Sequence, residues 1–146
     1  MIDAFFRKLL ASNPNPLSHL DAQLALATLL VRVARTDGDY ADVEIARIDA
    51  VLERLYALSP EQTVALRQSA EALEQEAPDT VRFTRALKEA VAHGDRQALL
   101  QALWFVALAD GARAAEEEQV IRLVAYLLGL TDVESAQARK IAQDLV

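Results

Sequence analysis

An internal repeat of 73 residues constrains this chain more than any other feature. Sliding the sequence by 73 positions aligns Ala25/Ala98, Leu26/Leu99, Leu30/Leu103, Val33/Val106, Ala34/Ala107, Asp37/Asp110, Gly38/Gly111, Ala41/Ala114, Glu44/Glu117, Ile48/Ile121, Val51/Val124 and Leu55/Leu128. Most of these are apolar residues at helical spacing, the positions that a core selects. Asp-Gly, then five residues, then Glu is different, because a core does not demand acids. With one residue of slippage, Ser59-Pro60-Glu61-Gln62 also aligns with Thr131-Asp132-Val133-Glu134. Both read as capping boxes that open helices. The repeat predicts two helix–turn–helix hairpins, over residues 20–58 and 95–130, related by a pseudo-two-fold axis. Each hairpin has an acidic turn at its seam.

The rest of the chain is helical as well. No stretch alternates with period two, while Leu20, Leu24, Leu30 and Val33, or Leu99, Leu103 and Val106, recur at helical spacing. Gly and Pro number only four each, too few turns for a sheet protein of 146 residues. The expected fold is all-α: one compact domain over 1–146, with about eight helices, two of them short. Residues 1–16 form a short helix and linker, with Ile2, Phe5, Phe6, Leu9 and Leu10 on one helical face. Such a face docks on the domain's own core or, as an alternative, rests on a membrane surface. Asp79 and Asp95 are expected to cap helices, and Gly94 to supply a left-handed C-cap.

Charge and composition exclude several functions. The net charge of −7 opposes a phosphate backbone, so no nucleic-acid partner is expected. It favours cations or basic protein surfaces instead. There is no cysteine, hence no disulfide, thiol nucleophile or thiolate metal site. No apolar run reaches the ~18 residues of a membrane span. Residues 1–10 are too short and too charged for a secretory signal. No Ser–His–Asp order, phosphate-cradling glycine loop or His-x-x-x-His is present, so an enzyme is not expected.

An apolar helix ending in Ala34-x-x-Asp37-Gly38, then five residues and Glu44, then an Ile/Val/Leu helix, is repeated at Ala107-x-x-Asp110-Gly111 and Glu117. This doubled motif resembles the TerB family of bacterial tellurite-resistance proteins. The N-terminal domain of the co-chaperone DjlA is similar. The resemblance spans about residues 20–142. It implies a compact all-helical, cytoplasmic domain associated with stress resistance, and no established reaction. It also implies a metal ion at the acidic turns, with the motif acids falling on Asp37, Glu44, Asp110 and Glu117. Family members often carry Asp or Ser just before the second helix of each hairpin. Here those places are Ala41 and Ala114, which have no side chain to cap with.

The first turn, Asp37-Gly38-Asp39-Tyr40-Ala41-Asp42-Val43-Glu44, holds four carboxylates in eight residues. Two readings fit it. In the first, the acids serve the turn itself. Gly38 and Gly111 allow positive φ, Glu44 and Glu117 cap the following helices, and Asp37 and Asp110 bond the loop's own amides. In the second, Asp37, Asp39, Asp42 and Glu44, with Asp110 and Glu117, hold Ca²⁺, Mg²⁺ or Mn²⁺. The spacing matches the last half of an EF-hand loop, but Val33 and Arg35 stand where its first ligands belong, and Arg35 would repel a cation. The expected function is a non-enzymatic stress-response adaptor that docks protein partners. The alternative is a divalent-cation-binding protein using the acidic turns.

Overall fold

The computed structural model describes residues 16–36, 38, 40–76, 80–109 and 115–145. Among them lie seven α-helices and no strand. They are α1 (Pro16–Arg35), α2 (Asp42–Tyr56), α3 (Pro60–Glu76), α4 (Thr80–Ala90), α5 (Arg96–Ala107), α6 (Ala115–Leu127) and α7 (Asp132–Asp144), with a 3₁₀ turn at His93–Asp95 before α5. All-α architecture is as expected. The eighth expected helix, in residues 1–10, falls outside the described residues. None of the described helices is long and apolar enough to cross a membrane.

Two helices carry the centre. Leu26, Leu29, Leu30 and Val33 of α1 are fully buried, as are Leu100, Leu103 and Val106 of α5. Around α1 pack α2, α3, α4, α5 and α6; around α5 pack α1, α2, α6 and α7. The packing of α1 with α2 and α3 has its parallel in that of α5 with α6 and α7. Of the residues paired by the 73-residue spacing, Ile48 and Ile121, Leu30 and Leu103, and Val33 and Val106 all have no exposure, whereas Val51 and Ala98 are only partly buried where Val124 and Ala25 are buried. Burying such Leu, Ile and Val side chains is worth about 1.5–3 kcal/mol each, which makes these stripes the main source of stability.

The helix ends show which sequence signals held. Ser59 Oγ accepts from Gln62 N–H and Gln62 Oε1 from Ser59 N–H, at 3.1 and 3.0 Å. Thr131 and Glu134 form the same box at 3.1 and 2.9 Å. At the far end of α6, Gly129 at φ +77° closes a Schellman cap, with Leu130 N–H on the Ala125 carbonyl at 2.9 Å.

Two expectations need correction. Gly94 is not a left-handed C-cap. It sits inside the 3₁₀ turn, and positive φ among the described glycines is confined to Gly38 and Gly129. The carbonyls ending α4 are met instead by Arg96, which donates to Lys88 and Val91 and also to Leu128 of the α6 end. Asp95 makes no side-chain capping bond to α5, because the 3₁₀ turn leads the backbone into that helix in helical conformation. The left-handed residue after α2 is Ala57, at φ 51° and ψ 45°, where no glycine marks the end. Asp79 lies outside the described residues.

Candidate functional site

The first acidic turn begins where α1 runs out. Thr36 Oγ1 turns back to the Arg32 carbonyl at 2.5 Å, and Gly38 N–H donates to the Arg35 carbonyl at 2.9 Å. Gly38 then takes φ +82°, a conformation that costs an L side chain about 1–2 kcal/mol. Ala41 is extended and serves as N-cap of α2 through its backbone alone. Its N–H is met from below by Glu44 Oε1 at 3.1 Å. That is half a capping box: the glutamate is present, and the hydroxyl that Ser59 and Thr131 supply elsewhere is missing.

Glu44 has no solvent exposure, and Glu117, in the first turn of α6, has 2%. The two motif glutamates are therefore buried, each as the third residue of its helix. Each sits at the positive end of a helix, where a carboxylate is favoured. Asp42 is exposed. Two residues apart on a helix, about 200° around its axis, Asp42 and Glu44 point to opposite sides. Asp37, Asp39 and Asp110 lie outside the described residues. Among the described residues no group of three or more acids and histidines is gathered as a metal site would need. Neither do α2 and α6, which carry Glu44 and Glu117, form one of the main helix pairs.

What braces the turn was not legible in the motif. Tyr40 Oη donates to Glu71 Oε2 of α3 at 2.6 Å, and the Arg35 guanidinium lies 4.9 Å from the centre of the Tyr40 ring. Arg35 in turn pairs with Glu74 at 2.9 Å, and Arg32 approaches the same carboxylate at 3.5 Å. Glu71 also accepts from Arg67 at 2.9 Å, and Arg67 reaches Asp49 of α2 at 2.6 Å. The result is a connected chain of charges tying α1, the turn, α2 and α3 together. Burial, and then the Glu71 hydrogen bond, push the Tyr40 phenol well above its ordinary range. Burial opposes the charge on Arg67, but its bonds to Asp49 and Glu71 prevail and raise its pKa. Arg35, read from sequence as a residue that would repel a cation, is here a neutralised strut.

Two signals could have pointed to this network: the i,i+4 spacing of Arg67 and Glu71, and the pair Arg32/Arg35 closing α1. A comparable contact braces the second half. Arg139 of α7 pairs with Glu118 of α6 at 3.5 Å and lies over the Trp104 ring at 4.9 Å. Trp104 Nε1 donates to Ser135 Oγ at 3.4 Å, so Trp104 is a core residue tied to α7. Tyr126 is 77% exposed, a surface position.

An all-helical domain whose motif glutamates are buried at helix starts, and whose first acidic turn is braced by a third helix, is the class that this fold and site define. The family model for Tellurite resistance protein TerB matches residues 23–140. The chain belongs to the TerB family. No curated protein and no solved structure matches it.

Proposed function

We propose that this protein serves tellurite resistance in the cytoplasm as a non-enzymatic protein-interaction module, docking partners at its first acidic turn. Membership of the TerB family supports the tellurite-related role. The observation that carries the docking role is the division between Glu44 and its neighbours. Glu44 is spent on the turn, buried and bonded to Ala41, while Asp42 and Val43 stand outward, Val43 with 42% exposure. The brace through Tyr40 and Glu71 holds that outward corner in one geometry, which lowers the ordering cost of binding. An acid beside an exposed valine suits a basic, partly apolar protein surface.

The experiment is affinity capture from cells grown with tellurite, comparing the wild type with Asp42→Lys plus Val43→Asp. The double variant is expected to fold and to lose a partner that the wild type retains. If it retains every partner, the turn is not the docking site.

The divalent-cation reading remains the alternative, using Asp37, Asp39, Asp42, Glu44, Asp110 and Glu117. Burial of Glu44 and Glu117 weighs against it, since a ligand carboxylate must leave the core to reach an ion at the surface. Thermal unfolding with about 1 mM Ca²⁺, Mg²⁺ or Mn²⁺ separates the readings: a site in the folded state raises the melting point by linkage. The docking reading predicts no rise.

A further inference from the structure

The chain carries net charge −7, yet one helix presents a basic face. On α4, Phe83, Thr84, Leu87 and Ala90 turn inward against α1 and α6. Val81, Arg82, Arg85, Lys88 and Glu89 are exposed. At three-residue steps, Arg82, Arg85 and Lys88 form a stripe about 9 Å long, with Glu89 the one acid on that face.

Most other arginines of the described core have work to do. Arg32, Arg35, Arg67 and Arg139 pair with acids. Arg47 donates to the Phe105 carbonyl, and Arg96 to three helix-end carbonyls. Arg82, Arg85 and Lys88 make no side-chain hydrogen bond or ion pair among the described residues. Arg54, Arg122 and Lys140 are exposed too, but each stands on a different helix. Nor does the helix itself account for the stripe. Lys88 lies in the last turn, where the dipole favours a cation, but Arg82 lies in the first turn, where it does not. The segment also falls between the two hairpins, at 20–58 and 95–130, so the repeat asks nothing of it.

We propose that the outer face of α4 is a docking surface for an acidic segment of a partner protein. Charge complementarity selects this occupant. A stripe of about 9 Å engages only a few carboxylates. The acidic body of the protein opposes the close approach of an extended polyanion such as a duplex or an anionic bilayer. A short acidic segment meets the stripe with little of that repulsion, and Val81 gives it an apolar foothold at 39% exposure. The surface adds to the acidic-turn module and does not rest on it, so either can fail alone.

The test uses the full chain, ¹⁵N-labelled, titrated with a synthetic glutamate-rich peptide at low salt, where the Debye length is about 30 Å. Amide shifts are expected to concentrate in residues 80–90. The variant Arg82→Glu, Arg85→Glu, Lys88→Glu should bind about tenfold more weakly or not at all. All three residues are exposed, and circular dichroism of the variant checks that it folds. The variant Arg82→Lys, Arg85→Lys should retain binding. Shifts centred outside α4, no shift at millimolar peptide, unchanged binding by the charge-reversed variant, or tighter binding of duplex DNA or phosphatidylglycerol vesicles would each overturn the proposal.

Discussion

Tyr40, inside the first acidic turn, donates a 2.6 Å hydrogen bond to Glu71, 31 residues away on α3. That bond connects the motif to an element outside its own hairpin. Tyr40→Phe should lower stability by about 1.5–3 kcal/mol, the worth of a hydrogen bond to a charged group, as read by urea unfolding. The pH dependence follows from the raised pKa of the phenol, whose ordinary value is 10.0. A group raised in the folded state contributes fully below its unfolded pKa and ceases to contribute as pH rises through its folded one. Wild type should therefore lose more stability than Tyr40→Phe above pH 10.0.

Ala57 holds the left-handed conformation after α2, and Gly129 holds it after α6. These positions correspond in the repeat when one residue of slippage is allowed. Ala57→Gly should stabilise the protein by about 1 kcal/mol, offset in part by the greater freedom of glycine in the unfolded chain. Gly129→Ala should destabilise it by a similar amount, about 1 kcal/mol. The Arg96 guanidinium, 3.8 Å from an added Cβ, leaves room for the methyl group, so the cost is conformational. Paired thermal melts of the two variants check both signs.

Glu134 closes the Thr131 box, and the Thr131 backbone N–H, followed by its hydroxyl and His93, holds the carboxyl below 4.5. A depressed carboxyl stabilises above its unfolded pKa and stops doing so as pH falls through its folded one. The melting point of wild type should therefore fall more steeply than that of Glu134→Gln below about pH 4.5. The glutamine variant can still accept the Thr131 N–H, as Gln62 does from Ser59. Equal slopes would contradict the account.

Helices, their order and their core were legible because each rests on local signals: apolar spacing, two complete capping boxes, and Gly38 and Gly129. The family was legible from Asp37-Gly38 and Glu44 with their repeat. The ends of α4 and α2 were less so. Arg96 caps α4 through side-chain bonds that no local pattern announces, and Ala57 adopts a conformation its residue type disfavours. Of the site, Glu44 as a helix cap followed from its place three residues after Ala41. The brace did not, because Tyr40–Glu71 and Arg35–Glu74 join residues far apart in sequence. The acids of the turn read as one group in sequence, but Asp42 and Glu44 face opposite ways once the helix is formed.

The most direct test of the central claim, that Glu44 serves the turn while Asp42 and Val43 serve the partner, compares stability and partner capture in two variants. Glu44→Ala should lose about 1–2 kcal/mol, as a lost cap does, and still capture the partner below its melting point. Asp42→Lys with Val43→Asp, which moves a first-turn acid of α2 by one residue and adds a cation beside it, should stay within about 1 kcal/mol of wild type and lose the partner. Full partner capture by the surface variant, or its loss in Glu44→Ala while that variant remains folded, would contradict the account.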